Sequence, residues 1–375
     1  MNRHDSPQHV MLLRLIVLLT LAFTACNFPQ TAPATPLATN PPRPTGTSTP
    51  APTPKPTTTA TPVPTPMPPD LVWFAPNMGS RDYPDLFTKP EEWSVARSRI
   101  DVFKFYTQNV LEYPCAICGE NTLSTFVDVQ AFQKLTEWGI AISVEVGAVK
   151  EWGCTGEEEL RVAKETIHNI QANAGTVAIL DMDEPYIGGE LVANGKTCGF
   201  TMEQSADVTS EFIRLVKAAY PNILVGDTEP YPYFSVAELE QWIVALEERG
   251  ITLAHFHLDV DIENVRVNRW DVVADLQALS HFFQEHRIPF GVIFTSNWTA
   301  AGSDRAYFDS TMEWVRTVKA AIGKPQHVIF QSWQGDPADR EHRGPHEVPI
   351  NLPENDPSSY SHTRLILEGL DVFGH

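Results

Sequence analysis

Eight short apolar runs alternate with amphipathic segments between residues 70 and 375, and this alternation limits the folds open to the chain. Each run is five to eight residues long, the length of a buried strand. The runs are Leu71–Ala75, Ile100–Phe105, Ile140–Val146, Val177–Met182, Ile223–Asp227, Thr252–Asp259, Pro289–Thr295 and His327–Ser332. Between them, apolar residues recur at helical spacing, as in Val208, Phe212, Leu215 and Ala219. Strands that alternate with helices predict a parallel sheet covered by helices.

Eight strand–helix units in about 300 residues predict a closed (β/α)8 barrel, the TIM barrel of the α/β class. An open, doubly wound sheet is the alternative. After the first run, residues 73–77 lead into a loop without a glycine-rich phosphate motif, which argues against a dinucleotide-binding sheet. Because the carboxyl ends of barrel strands form the catalytic rim, we expect the functional residues there.

The first 25 residues have the pattern of a secretory signal peptide. Arg3 and Arg14 precede the apolar run Leu15–Phe23, which is too short to span a bilayer. Cys26 follows directly after small residues, and this arrangement resembles the lipobox of bacterial lipoproteins, with Phe23 where Leu is commoner. The resemblance implies lipid attachment at Cys26 and a domain held at the cell surface, outside the cytoplasm. An ordinary signal peptide is the alternative.

Residues 26–69 are predicted to be a disordered linker after the lipidated cysteine. Residues 31–69 contain 14 Pro and 12 Thr, and Arg43 and Lys55 are their two charged residues. Burial of so few apolar groups cannot offset the entropy cost of ordering the chain. At about 3.1 Å per residue, a polyproline-like stalk of this length reaches on the order of 100 Å. The catalytic domain is then residues 70–375.

The charge of residues 70–375 argues against some partners. This segment has 23 Lys and Arg against 46 Asp and Glu, a net charge of −23. Such an excess of negative charge disfavours nucleic acid and anionic lipid as partners, since both are polyanions. The membrane contact that we expect is therefore through the lipid at Cys26.

Four cysteines follow Cys26, namely Cys115, Cys118, Cys154 and Cys198. An even number in an exported domain predicts two disulfides, with three pairings open. A four-cysteine metal site and redox use of the Cys115–Cys118 motif are the alternatives. All four cysteines lie after the second, third and fourth predicted strands, so disulfides would link neighbouring loops on the rim.

Polar and acidic residues collect at the carboxyl ends of nearly every predicted strand. The fourth run is one example, because Val177–Leu180 is apolar and the next residues include Asp181, Asp183 and Glu184. A buried strand does not tolerate that many acids, so the chain must reach the surface there. The other strand ends contribute Asn77, Lys104, Tyr106, Glu145, Asp227, Glu229, Asp259, Asp261, Asn297, Trp298, Gln331 and Trp333.

The sixth run alternates polar with apolar residues. His255, His257, Asp259 and Asp261 are separated by Phe256, Leu258 and Val260, so the polar set shares one face. In a barrel this face lines the interior. A solvated edge strand is the alternative, and His-x-His-x-Asp is also a pattern that zinc accepts. Histidines equally serve as hydrogen-bonding groups, and we expect neither a metal nor another cofactor.

Asp183-Glu184-Pro185 resembles the Asn-Glu-Pro tip of many retaining (β/α)8 glycoside hydrolases. In that family the Glu is the acid/base, which implies this role for Glu184. The family's nucleophile is a Glu at the end of the seventh strand, and residues 295–298 here contain no acid. Glu229 is therefore our first candidate for the second carboxylate, and Asp259 is the second. The adjacent Asp183–Glu184 pair also resembles hexosaminidases, in which Asp183 would orient the substrate's acetamide.

We therefore predict an extracellular, lipid-anchored glycoside hydrolase with catalytic residues among Asp183, Glu184, Glu229 and Asp259. Glycosidic cleavage needs one protonated and one ionised carboxyl group, which crowded acids provide. The predicted substrate contacts are Lys104, Tyr106, Glu145, Asp181, His257, Asp261, Asn297, Trp298, Gln331 and Trp333. The alternatives are a non-catalytic carbohydrate-binding lipoprotein and a metal-dependent hydrolase that uses His255, His257 and an Asp. Asp181 paired with Lys104 in a buried salt bridge is the structural alternative for that acid.

Overall fold

The structure is a computed structural model that describes residues 70–113, 115, 118–149, 153–190, 192–193, 196–296, 303–333 and 348–374. Eight parallel strands close into a barrel in the spatial order β1-β10-β9-β8-β7-β4-β3-β2. They are β1 (Leu71–Ala75), β2 (Val102–Tyr106), β3 (Ala141–Val146), β4 (Val177–Asp183), β7 (Leu224–Tyr231), β8 (Phe256–Val260), β9 (Phe290–Phe294) and β10 (His327–Gln331). The predicted barrel is thus confirmed, and the open-sheet alternative is wrong. Two short strands, β5 (Val192–Ala193) and β6 (Lys196–Thr197), form a separate antiparallel pair.

Helices occupy most of the segments between the strands. They are α1 (Asp85–Thr88), α2 (Ser94–Arg97), α3 (Thr107–Val110), α4 (Leu123–Asp128), α5 (Ala131–Trp138), α6 (Gly156–Ala172), α7 (Pro185–Glu190), α8 (Met202–Ala219), α9 (Val236–Glu248), α10 (Ile262–Asn268), α11 (Val272–His286), α12 (Asp304–Ile322) and α13 (His362–Phe373), with a 3-10 turn at Pro90–Trp93. Within the described part of the chain, no helix combines the length and apolar character that a membrane span requires.

Side chains on the barrel strands alternate between the interior and the helix-facing side. On β2, Lys104 points inward and bonds Asp181, whereas Phe105 packs against Phe126 of α4. On β8, Phe256 stacks on Phe283 of α11. Since β8 pairs with β7 and β9, it is an internal strand, and the edge-strand alternative is wrong.

One strand differs from its predicted bounds in a way that matters for the site. The fifth run was expected to end at Asp227, but β7 continues to Tyr231 because its last residues pair with β8. Pairing joins Thr228 to His257 and Glu229 to Leu258. The two side chains of each pair point to the same side of the barrel wall. Glu229 therefore lies on the helix-facing side together with Leu258.

The structure forms the two disulfides that the cysteine count predicts. Cys115 pairs with Cys118, and Cys154 pairs with Cys198. The second disulfide links the loop after β3 to the loop after β4. The first closes a short turn after α3 and joins no separate loops, so only one of the two ties the rim together.

Glycine makes room for histidine inside the barrel. A Cβ atom on Gly226 would lie 2.0 Å from the ring of His255, and a Cβ on Gly291 would lie 2.6 Å from the ring of His257. Both distances are shorter than atoms tolerate, so a side chain at either position would push a buried imidazole aside.

We expect Gly226→Ala to destabilise the protein by ~1–3 kcal/mol, because overpacking a filled interior forces side chains out of their preferred positions. Thermal and denaturant unfolding, followed by circular dichroism, measures the change. A variant that unfolds at the wild-type midpoint would contradict the packing described for His255.

A candidate active site at the barrel mouth

A buried ion-pair network fills the barrel interior. Lys104 on β2 donates to Glu145 on β3 at 2.7 Å and to Asp181 on β4 at 2.9 Å. Thr228 on β7 donates to the same Asp181 carboxylate at 3.1 Å. Asp181 and Lys104 are fully buried, so each neutralises a charge that would otherwise be costly to remove from water.

The charges in this network hold each other ionised. Burial alone would raise the pKa of Asp181, but the Lys104 ammonium and the neighbouring imidazoles outweigh it and lower that pKa well below its usual value. Burial opposes the charge on Lys104 as well, and Asp181 and Glu145 together raise the pKa of Lys104 above its usual value. Asp181 was predicted to contact substrate, and the structure instead gives it the buried salt bridge considered as its alternative.

Three histidines continue the network, and they form the inner histidine cluster: His255, His257 and His327. His255 Nε2 lies 2.9 Å from Asp181 Oδ1, and His257 Nε2 lies 2.9 Å from His327 Nδ1. Trp73 packs against all three rings. Burial lowers the pKa of His257 to about 3, and burial also lowers the pKa of His327, so both imidazoles are neutral. His257 was predicted to contact substrate and lies instead in this interior.

The inner histidine cluster is arranged for hydrogen bonding more than for metal binding. Its ring nitrogens lie within 4.8 Å of one another, which brings a metal into consideration. The rings of His255 and His257, however, are stacked, with centroids 4.2 Å and planes 25° apart. A ring nitrogen binds a metal in the plane of its ring, so stacked rings aim side by side and not at the common point that a tetrahedral site needs.

Above this network, four acids gather at the mouth of the barrel, and we call them the mouth carboxylates: Glu145, Asp183, Glu184 and Asp259. Glu145, Asp183 and Asp259 remain partly exposed, whereas Glu184 is buried. Burial raises the pKa of Asp259 well above its usual value, and the charges of Glu184, Asp183, Asp261 and Glu145 add to the effect. Asp259 therefore binds a proton more readily than an ordinary aspartate.

Glu145 is the second mouth carboxylate with an altered proton affinity. Burial raises the pKa of Glu145 to about 7, and the charges of Asp183 and Asp181 act in the same direction, against the Lys104 ammonium. Gln331 at the end of β10 donates to Glu145 Oε2 at 3.2 Å. Glu145 and Gln331 were both expected near substrate, and the structure brings them together.

Glu184 has an unusual backbone conformation. Its φ of 52° lies in the left-handed region, which costs a residue with a side chain on the order of 1 kcal/mol. Its N–H donates to the Thr228 carbonyl at 2.8 Å, which fixes the turn from β4 into α7. Strained residues of this kind concentrate at functional sites. The turn puts the Glu184 carboxyl group near enough to Asp259 to raise the pKa of Asp259.

Glu229, our first candidate for the second carboxylate, does not join this group. It is fully buried on the helix-facing side of β7, and its Oε1 accepts from the backbone N–H of Tyr186 at 2.6 Å. The error has a simple cause. The strand was predicted to end at Asp227, so the side to which the Glu229 side chain points could not be predicted. In the structure β7 continues past Glu229, and the alternation along the strand turns that side chain toward the helices.

Several other predicted substrate contacts have structural roles or lie outside the mouth. Asp261 caps α10, with its Oδ1 accepting from the backbone N–H of Asn264 at 2.9 Å. Tyr106 is buried and donates to the Ser332 carbonyl at 3.2 Å. Trp333 is partly exposed just after β10. Asn297 and Trp298 lie outside the described residues, as do Cys26 and the predicted signal peptide and linker.

The tyrosines that follow the acidic tips belong to the helical layer. Tyr186 stacks on Phe234 and Trp242, and Tyr231 donates to Asp275 of α11. Both are buried, so they present no ring face to a ligand.

No family model and no curated protein matches this chain. Among solved structures, it is similar to a GH5_18 protein from Streptomyces cattleya in complex with GlcNAc, at 11% identity over 81% of this chain and 80% of that one, with a TM-score of 0.47. It is similar to fungal β-1,4-galactanases at 9% identity over 78% and 99% of the two chains, with a TM-score of 0.49. A D-psicose 3-epimerase solved with D-fructose matches at 8% identity over 81% and 100%, with a TM-score of 0.45. These likenesses assign no activity.

Asp227 is a buried acid on the helix-facing side, outside the mouth. Its Oδ2 accepts from Trp242 Nε1 at 2.8 Å, and its Oδ1 has no hydrogen-bond partner among the described residues. Burial raises the pKa of Asp227 to about 8. The folded protein then keeps a proton that the unfolded chain releases above about pH 4, so this group reduces stability as the pH rises toward 8.

We expect Asp227→Asn to stabilise the protein at alkaline pH by ~1–3 kcal/mol and to change little at pH ~5, because the amide oxygen still accepts from Trp242 and carries no charge. Denaturant unfolding across pH measures the difference. Equal stabilisation at both pH values would contradict the burial of an ionisable proton at this position.

Proposed function

We propose that the protein is a glycoside hydrolase whose chemistry is done by the mouth carboxylates. The observation that carries this proposal is the group of carboxyl groups at neighbouring strand ends, where burial and the charges of Glu184, Asp183, Asp261 and Glu145 raise the pKa of Asp259. Cleavage of a glycosidic bond needs a proton for the leaving oxygen and a negative charge beside the oxocarbenium-like carbon. An acid with a raised pKa, set among further carboxyl groups, can meet both needs.

The roles that we propose differ from those implied by the Asp-Glu-Pro resemblance. Asp259 donates the proton to the leaving oxygen, since burial and its acidic neighbours raise its pKa. Glu184 is the carboxylate that faces the developing positive charge, and its fixed backbone supports precise placement. Asp183 and Glu145 hydrogen-bond sugar hydroxyls. The buried Lys104–Asp181 pair keeps Glu145 in position from below.

Metal-dependent hydrolysis is supported less well. The inner histidine cluster is buried, the rings of His255 and His257 stack, and three of its nitrogens already bond Asp181 or one another. A catalytic metal keeps an open position for water or substrate, which a closed interior does not provide.

We expect Asp259→Asn and Glu184→Gln each to lower the rate of glycoside cleavage by roughly 10²-fold or more, since each removes a group that acts in the transition state. Release of reducing ends from a panel of polysaccharides, and of chromophore from aryl glycosides, measures this. The wild-type rate should also fall as alkaline pH removes the proton from Asp259.

Glu229→Gln is the matched control for these two variants. This variant changes a carboxyl group to an amide on the helix-facing side of the barrel wall, away from the mouth. The amide oxygen can still accept from the Tyr186 N–H, so we expect near-wild-type activity. Loss of activity in this control, with both mouth variants active, would transfer the catalytic role to Glu229. Sugar binding without turnover by the wild type would favour a non-catalytic carbohydrate-binding protein.

We further propose that a lipid on Cys26 holds the domain at the cell surface, with residues 26–69 as the stalk. The sequence pattern at residues 15–26 supports this. Cys26→Ser is expected to move the protein from the membrane fraction to the soluble fraction, because the thiol is the attachment point. Metabolic labelling with a clickable fatty acid, followed by fractionation, tests it. Labelling that persists in the variant would contradict attachment at Cys26.

A further inference from the structure

The turn that carries Glu184 is held at the carboxyl end of β7. The backbone N–H of Glu184 donates to the Thr228 carbonyl at 2.8 Å, and the N–H of Tyr186 donates to Glu229 Oε1 at 2.6 Å. Thr228 and Glu229 are consecutive, so one short stretch of β7 contacts the chain on both sides of Pro185. Because proline has no N–H, the backbone offers no further donor between these two contacts.

The backbone conformation of Glu184 needs such support. Its φ of 52° lies in a region that residues with a side chain rarely adopt, and such a φ persists only where the surrounding structure imposes it. The Glu184 carbonyl accepts from the Gly188 N–H at 2.8 Å, so α7 begins directly after this turn. If the start of α7 were released, Glu184 could relax toward an ordinary φ, and its carboxyl group would then point in another direction.

The Glu229 contact is also well placed to hold the start of α7. Glu229 is fully buried on the helix-facing side, where an acid is costly unless it is hydrogen-bonded. The ring of Tyr186, the residue that donates to it, stacks on Phe234 with centroids 3.8 Å apart and on Trp242 with centroids 5.1 Å apart. The backbone and the side chain of Tyr186 are therefore fixed together.

We propose that Glu229 is a positioning residue for Glu184. By accepting from the Tyr186 N–H, it fixes the turn that directs the Glu184 carboxyl group toward Asp259 in the mouth. This inference rests on the proposed role of Glu184 in glycoside cleavage. It requires a hydrogen-bond acceptor at the reach of a glutamate side chain but no charge, and this requirement distinguishes Glu229 from a carboxylate that acts on the substrate.

Three substitutions separate the reach of the acceptor from its charge. Glu229→Gln keeps an oxygen at the same reach, Glu229→Asp keeps the carboxyl group but withdraws it by one methylene, and Glu229→Leu fills the space without an acceptor. We expect kcat for glycoside cleavage to stay near wild type in Glu229→Gln and to fall roughly 10- to 100-fold in the other two, with KM changed by less than about threefold, because a small displacement of a catalytic group acts mainly on the transition state.

Amide hydrogen exchange gives a readout that does not depend on turnover. The N–H groups of Glu184 and Gly188 donate to backbone carbonyls and not to Glu229, so they report the state of the turn itself. We expect both to exchange at least about tenfold faster in Glu229→Asp and Glu229→Leu, and at the wild-type rate in Glu229→Gln. Amides of β9 should keep their wild-type rates in all three variants and serve as the internal control.

Each other outcome decides against the proposal or separates it from the proposed function. Wild-type exchange at Glu184 and Gly188 in folded Glu229→Asp and Glu229→Leu would overturn it, and so would faster exchange in Glu229→Gln. Loss of the folded barrel in both Glu229→Asp and Glu229→Leu, measured by circular dichroism, would also overturn it, because Glu229 would then support the whole fold. The expected exchange pattern in a protein that cleaves no glycoside would reject the hydrolase and retain the positioning of Glu184.

Discussion

The ion pair between Lys104 and Asp181 is the interaction on which the barrel interior depends. Neither side chain reaches solvent, and their 2.9 Å contact joins β2 to β4 across the strand that lies between them. Removal of Lys104 would leave the buried Asp181 charge without its cation, a loss of ~3–5 kcal/mol in comparable pairs. The same ammonium also bonds Glu145, so one cation supports both the interior and the mouth.

Around this pair, polar groups replace the apolar side chains that usually fill a small barrel. His255, His257 and His327 pack with Trp73, and Gly226 and Gly291 leave the space that their rings occupy. The interior is thus specified by complementary shapes and by hydrogen bonds together. Such a network tolerates few changes, because each member satisfies its neighbour.

Much of the fold follows from local sequence, and the site follows only in part. Eight runs with helical segments between them predict a barrel, and the alternation around His257 predicts which side of β8 faces inward. Asp259 faces the interior, as the alternation along β8 predicts, and the charge of Glu184 acts on it. Glu229 does not face the interior, because the side to which it points depends on how far β7 pairs with β8. The pairing of Asp181 with Lys104 was foreseen only as an alternative, since sequence shows neither distance nor partner.

The disulfide between Cys154 and Cys198 has a consequence for two of the mouth carboxylates, Glu145 and Glu184. It fastens the segment after β3, the strand that ends beyond Glu145, to the segment after β4, the strand that leads into Glu184. No cystine crosses the described barrel wall itself, so reduction would leave the strands closed while it releases the two segments from one another. The oxidation state of Cys154 and Cys198 would therefore change how these two rim segments align without opening the barrel. Protein with Cys154 and Cys198 reduced would keep its barrel and yet differ from the disulfide-bonded form at this rim.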